Sequence, residues 1–282
     1  MKKYKEFLIT AEPFNPEILS SILWELDITG INEEVNCLRV FTGTESDLNQ
    51  VNVNEQLQKL VDENLIREFR VEESVFEDKN WNEEWEKSLN IINVSDKVVI
   101  KPSSKEYKQK EDEIVITIDP KMSFGTGEHQ TTKLIIRMLE QHLKKGMKVL
   151  DAGTGTGILS IAAIKLGASE AIGFDTDEWC FENARENCTI NNVSDKVVIR
   201  IGDIGVIKEN EFDLILANIQ KNILMVLCEG FRKRLKKNGI IILSGLLVED
   251  ENDIFKEYSN RGFRHVETRT MDEWIALSFV LQ

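Results

Sequence analysis

Three stretches of the sequence carry residue types able to do chemistry. The first is Val149-Leu150-Asp151-Ala152-Gly153-Thr154-Gly155-Thr156-Gly157, where an apolar strand signal turns into a helix. Glycines at alternate positions let the main chain approach a ligand and adopt positive φ. A dinucleotide-binding G-x-G-x-x-G turn sets a pyrophosphate on the helix N-terminus. Counted from Gly153 and Gly155, its third glycine would fall at position 158, which is Ile158, and Gly157 comes one place early. No Gly-Lys-Ser/Thr follows, so the stretch is not a P-loop either. The second stretch is Ile172-Gly173-Phe174-Asp175, which places Asp175 22 residues after Gly153. A carboxylate at that strand end can accept both hydroxyls of a ribose in charge-assisted hydrogen bonds. Capping of the next helix falls more naturally to Asp177.

The third stretch is Phe212-Asp213-Leu214-Ile215-Leu216-Ala217-Asn218-Ile219. A side-chain amide at a strand end can accept hydrogen bonds from an amine and aim its lone pair, although asparagine is also an ordinary turn residue. The following Ile219-Gln220-Lys221 supplies no proline and no aromatic, which argues against a flipped base as substrate. Upstream, Phe124-Gly125-Thr126-Gly127-Glu128-His129 reads as a glycine-hinged flap whose phenylalanine could cover a ligand. Thr131 or Thr132 could cap the helix that follows. No dedicated general base stands out, and His129 is the only histidine near these motifs. Asp203 could meet an adenine amino group or serve as a turn residue.

These residues must be held by an alternating frame. Helix and strand periodicities predict helix 129–144, strand 147–152, helix 157–167, strand 170–175, helix 177–191 and strands 196–202 and 212–217. Helix 220–235, strand 239–245, helix 248–260 and strands 263–269 and 273–281 complete the pattern. The alternation implies a mostly parallel α/β sheet with helices on both faces and a closing antiparallel hairpin. Before it, residues 1–76 read as strand 4–11, helix 17–26, strands 31–35 and 37–41, helix 48–65 and strand 66–76. That β-α-β-β-α-β order is the ferredoxin-like split unit, a small α+β domain. Residues 77–90, with Trp81 and Trp85 four apart on a charged helix, read as a linker.

Composition narrows the function classes. The chain has 282 residues, enough for two domains, and 41% are apolar, which excludes disorder throughout. Its net charge is −14, which disfavours a nucleic-acid-coating protein. The acid is uneven: residues 1–76 hold 7 Lys/Arg against 15 Asp/Glu, whereas 91–282 hold 26 against 29. Solubility explains such an excess, and so does attraction of a basic partner. Arg232-Lys233-Arg234-Leu235-Lys236-Lys237 is read as a solvated helix end that complements the dipole. No apolar run is long enough to span a membrane. Four cysteines without a CxxC pair and three scattered histidines point to free thiols in a reducing cytoplasm and to no metal centre.

The arrangement strand–Asp151-x-Gly153-x-Gly155-x-Gly157–helix–strand–Asp175 resembles class I S-adenosylmethionine-dependent methyltransferases. That cofactor has an adenosine but no pyrophosphate, and its cationic groups would suit a loop opened by Asp151. Phe124-Gly125-Thr126-Gly127-x-His129-x-Thr131-Thr132 resembles the signature of the ribosomal protein L-eleven methyltransferase family. Trp81-Asn82-Glu83-Glu84-Trp85 resembles that family's linker helix, and the split module resembles its substrate-recognition domain. The resemblance implies a Rossmann-like methyltransferase domain over 91–282, a linker over 77–90 and a ferredoxin-like substrate-recognition domain over 1–76. It implies that Thr132, Gly153, Asp175 and Asn218 bind S-adenosyl-L-methionine; Gly155 joins them as part of the same loop. Asn218 is the expected catalytic residue, orienting the nucleophile. The implied partner is ribosomal protein L eleven, methylated on lysine ε-amines and the N-terminal α-amine. Neither a membrane nor sequence-specific nucleic-acid binding is expected. The alternative is the same cofactor used on RNA or a small molecule.

Overall fold

The computed structural model describes residues 3–77, 89–121 and 123–282. Residues 78–88 of the expected linker helix, with Trp81 and Trp85, lie outside the described residues; Glu77 ends a strand, and residues 89–90 are not helical. The chain divides into two compact units, Met1–Glu84 and Trp85–Gln282.

The first unit is built from β1 (Lys3–Glu12), α1 (Pro16–Leu23), β2 (Gly30–Glu34), β3 (Cys37–Gly43), α2 (Gln50–Asp62) and β4 (Glu68–Glu77). The sheet order is β2-β3-β1-β4, all antiparallel, which is the ferredoxin-like arrangement. Both helices start where the sequence can satisfy their free N–H groups. Asn15 caps α1 with Pro16 in its first turn, and Asn49 and Asn52 form a capping box on α2. Helix α1 ends at Leu23, three residues short of the stretch predicted from its apolar stripe. Phe7, Ile9, Leu38, Val40 and Val71 alternate onto the inner face and meet Leu19, Leu23, Val53 and Leu57 from the helices.

The second unit opens with a small sheet of β5 (Ile92–Asn93), β6 (Val98–Lys101) and β7 (Ile114–Thr117). It continues through α3 (Gln130–His142), β8 (Lys148–Ala152), α4 (Ile158–Lys165), β9 (Glu170–Asp175), α5 (Glu178–Ile190) and β10 (Val197–Ile201). Then come β11 (Phe212–Asn218), α6 (Lys221–Arg234), β12 (Leu235–Leu247), α7 (Glu251–Asn260), β13 (Phe263–Met271) and β14 (Trp274–Leu281). Strand β12 begins where α6 ends, four residues before the predicted start. The order β10-β9-β8-β11-β12-β14-β13 is parallel through β12 and closes on the expected antiparallel hairpin.

Successive side chains of β8 enter opposite cores: Val149 packs with Leu134, Ile135 and Leu139 of α3, while Leu150 and Ala152 join Leu224, Phe231 and Tyr258 of α6 and α7. Both faces are therefore covered, and the central strand β11 is a near-continuous apolar run, buried from Leu214 to Ala217. The chain runs outward from β8 through β9 and β10, then returns to β11 on the other side. That reversal opens a crevice at the carboxyl ends of β8 and β11, the usual ligand position in such sheets. Gly153 follows one of these ends and Asn218 is the last residue of the other. Among the described residues no helix is long and apolar enough to cross a membrane.

Candidate active site

The crevice is a cleft of about 900 Å³ whose lining includes Gly153, Gly155, Asp175, Asp203 and Asn218. Phe174, Ile204, Ile219, Ile223 and Leu227 supply apolar wall, and Phe124, His129 and Trp274 also line it.

The glycines are demanded by close approach. Gly153 and Gly155 have φ of 69° and 53°, in the left-handed region. A Cβ on Gly153 would lie 2.4 Å from Ile219 Cγ2, and one on Gly155 would lie 2.4 Å from the Phe124 carbonyl oxygen. Asp151 does not line the cleft, contrary to its expected place beside a cationic ligand. It is fully buried, and its Oδ2 accepts from the Thr154 hydroxyl at 2.7 Å, the Ser160 hydroxyl at 2.8 Å and the Ser160 N–H at 3.1 Å. Oδ1 has no partner. The carboxylate therefore ties the loop to the start of α4, where anionic charge is favoured. Burial still pushes its pKa up to about 6.

Asp175, half-buried at the end of β9, is aimed by the main chain. Its Oδ2 accepts the Gly155 N–H at 2.9 Å and its Oδ1 the Asp177 N–H at 3.2 Å. Each carboxylate oxygen retains a further acceptor site. Asp177 caps α5, accepting from Trp179 N–H at 2.8 Å.

Asn218 donates from Nδ2 to the Thr132 hydroxyl at 3.3 Å, and its Oδ1 is buried with no partner among the described residues. Thr132 lies in the first turn of α3, is 1% exposed and does not line the cleft. Thus Gly153, Gly155, Asp175 and Asn218 converge on one cavity, and Thr132 reaches it through Asn218.

The rim is aromatic. His129 packs edge-on against Trp274, ring centroids 4.7 Å apart, and against Phe124 at 5.7 Å. Its Nδ1 caps α3 by accepting the Thr131 N–H and lies 2.8 Å from the Thr131 hydroxyl. A backbone N–H can only donate, so the neutral ring carries its proton on Nε2. Burial lowers the pKa of His129, opposed by Glu273. Gln130 Nε2 donates to Asp272 at 3.0 Å, linking α3 to the β13–β14 turn beside Trp274. Phe124 itself is 59% exposed, but its segment is not a free flap. Thr156 donates its N–H to the Phe124 carbonyl at 3.0 Å and its hydroxyl to the Gly125 carbonyl at 2.7 Å.

Three supporting residues escape sequence reasoning. Thr156 is one. Asn187 is the second: fully buried on α5, its amide donates to the carbonyls of Thr156 at 3.0 Å and Asp119 at 3.3 Å and accepts the Asp119 N–H at 3.0 Å. It couples the glycine loop to the chain leading into Phe124. The third is Arg234. Rather than forming part of a solvated basic end, its guanidinium donates to the carbonyls of Ile204 and Ile207 at 2.9 Å and of Gly230 at 3.2 Å. It thereby fixes the 3-10 turn Ile204–Val206, whose cap is Asp203. An Asn repeat at four-residue spacing (Asn183, Asn187, Asn191) was the only sequence signal for this support.

A family model described as ribosomal protein L11 methyltransferase (PrmA) matches residues 19–282. A ribosomal protein L11 methyltransferase of Fusobacterium nucleatum is 31% identical over 288 residues, covering 93% of this chain and 92% of that protein. Another, of Acetivibrio thermocellus, is 38% identical over 201 residues, covering 71% of this chain and 64% of that protein. The crystal structure of a ribosomal protein L11 methylase from Lactobacillus delbrueckii subsp. bulgaricus superimposes with a TM-score of 0.64 at 30% identity, covering 68% of this chain and 98% of that one. A relative matched over more than nine-tenths of both chains, a family match over most of the sequence and a common fold lead to one conclusion: this chain belongs to the ribosomal protein L11 methyltransferase family.

Proposed function

We propose that the chain transfers methyl groups from S-adenosylmethionine to lysine ε-amines and the N-terminal α-amine of ribosomal protein L11, in the cytoplasm. The observation that carries the reading is the buried Oδ1 of Asn218, on a residue lining the cleft, which has no partner among the described residues. A buried acceptor left without a donor costs about 1–3 kcal/mol, so such a group calls for an incoming N–H. The residues present fit the cofactor. Asp175 offers a carboxylate oriented by two main-chain N–H groups, and Gly153 and Gly155 bring the backbone itself to the cavity surface. Ile204, Ile223 and Leu227 provide apolar surface for a base.

When bound, the cofactor supplies an electrophilic methyl group on a sulfonium. The chain's own contribution is then geometric. Asp175 takes the ribose hydroxyls, and the turn capped by Asp203 bounds the nucleoside. Asn218 accepts one N–H of the amine and so directs its lone pair, while Thr132 keeps the amide from turning over. Phe124, His129 and Trp274 exclude water at the mouth. The amine must arrive neutral; a lysine amine has a free pKa of about 10.4, an α-amine about 7.7–8.0. Apolar surroundings lower either value. His129 is not the base in this scheme, because its Nδ1 is already occupied by Thr131.

In this reading the N-terminal unit presents the protein substrate, consistent with its share of the acidic charge. The test is mass spectrometry of purified L11 incubated with enzyme and S-adenosylmethionine. Added methyl groups on amines support the proposal; label recovered in RNA and absent from protein overturns it.

A further inference from the structure

The N-terminal unit carries an open strand edge that no contact within the sheet fills. Strand β4 lies outside β1 in the order β2-β3-β1-β4, so among the described residues its other side has no strand partner. Gln50 on α2 donates from Nε2 to the Val71 carbonyl at 2.6 Å, which shows that this carbonyl points away from β1. Alternate residues of an antiparallel strand present N–H and C=O to the same side. Phe69, Glu73 and Val75 therefore turn their main-chain groups toward the open edge as well. Beside it, Gln50, Asn54 and Gln58 follow one another at single-turn spacing along α2, and with Glu55, Phe69 and Val71 they line a groove of about 610 Å³. One wall is a row of carboxamides, the other an unpaired strand, and Phe69 and Val71 form the floor. The Gln50 amide at Val71 stands where a main-chain donor of an added strand would come.

Charge decides the occupant. Residues 1–76 hold 7 Lys/Arg against 15 Asp/Glu. Glu72 is matched by Arg70 at 2.7 Å, whereas Glu55, Glu68 and Glu73 have no ion pair among the described residues. Glu73 instead accepts the Gln50 N–H at 2.8 Å. A second copy of this chain on the same edge would bring two units of net charge −8 (7 Lys/Arg against 15 Asp/Glu over residues 1–76) together, which is repulsive. Charged edges are a common guard against such self-pairing. We propose that an extended, lysine-rich segment of the protein substrate adds to β4 as a fifth strand, with main-chain bonds giving affinity and Glu55 and Glu73 selecting basic side chains. This rests on the reading of the chain as a protein methyltransferase and names the surface by which the N-terminal unit holds its substrate.

The experiment uses the full chain and a fluorescent twelve-residue peptide of alternating lysine and threonine, read by anisotropy. Two controls accompany it: the glutamate–threonine counterpart, and the lysine peptide N-methylated at every second main-chain nitrogen. The lysine peptide binds, the glutamate peptide does not, and N-methylation weakens binding about tenfold without changing charge. Glu55→Lys and Val75→Pro each weaken it about tenfold as well. Proline at 75 removes an outward-facing donor, which an edge strand tolerates. In both variants the KM for L11 rises while kcat and the cofactor KM stay. Equal binding of parent and N-methylated peptides, or an unchanged L11 KM in both variants, overturns strand addition and leaves the enzyme reading standing. A concentration-dependent dimer lost in Val75→Pro also overturns it, by assigning the edge to a second copy. Failure of the wild type to methylate L11 sinks the enzyme reading, and the peptide series still decides the edge.

Discussion

The amide of Asn218 and the hydroxyl of Thr132, 86 residues apart in sequence, meet at 3.3 Å behind the wall of the cleft. The contact uses the amide's donor and leaves its acceptor, Oδ1, buried and without a partner among the described residues. Thr132→Val removes the hydroxyl at nearly constant volume and frees the amide to turn over. We expect kcat to fall about tenfold, with Thr132→Ser restoring it. Affinity for S-adenosylhomocysteine, measured by calorimetry, stays near the wild-type value because the Thr132 side chain does not line the cleft. A large loss of that affinity with kcat preserved would return Thr132 to direct cofactor contact.

Asp175→Ala removes the acceptor for ribose and strands the Gly155 N–H it holds at 2.9 Å. Charge-assisted bonds contribute about 1.5–3 kcal/mol each, so the cofactor Kd should rise at least tenfold. Calorimetric titration checks this, and an unchanged Kd would remove Asp175 from the binding site.

Arg234→Leu leaves the carbonyls of Ile204, Ile207 and Gly230 without their shared donor. The turn bearing Asp203 and Ile204 loosens, so the cofactor KM should rise about fivefold to tenfold while kcat at saturation holds. A variant that merely unfolds more readily would lower the active fraction and leave KM in place.

Asp151 makes a prediction in pH. Its folded pKa is about 6, against an ordinary value of 3.8, because burial outweighs its three hydrogen bonds. Below the lower value both states are protonated and there is no penalty. Between the two, the folded state retains a proton the unfolded state has released, so stability falls as pH rises. Above about 6 the penalty is constant, on the order of 3 kcal/mol. Asp151→Asn keeps an acceptor for Thr154 and Ser160 without this titration. Urea unfolding at about pH 4.5 and about pH 7.5 should show the variant gaining on the wild type at the higher pH. A constant difference between the two would contradict the buried-charge account.

The legible parts of the site are those that depend on local sequence. Asp175 and Asn218 could be located because each ends an apolar strand, and the chemistry of parallel sheets gathers at strand ends. The missing third glycine at Ile158 excluded a dinucleotide turn from spacing alone. The direction of Asp151 was not legible, since a carboxylate opening a glycine loop can face the ligand or the following helix. The three donors on Thr154 and Ser160 decide for the helix. Arg234 was misread because a basic helix end looks the same whether its guanidinium meets water or three carbonyls 4 to 30 residues away. Thr156 and Asn187 act only on chain segments distant in sequence, and their residue types alone carry no sign of it.

The central claim is that Asn218 presents its free acceptor to the amine being methylated. The direct measurement is single-turnover methyl transfer to purified L11, followed by mass spectrometry, for the wild type and Asn218→Ala at saturating cofactor. The account predicts methyl groups on L11 amines with the wild type and a rate about a hundredfold lower in the variant. Cofactor binding should weaken far less than the rate falls. Equal single-turnover rates in the two proteins, with both binding cofactor, would contradict it.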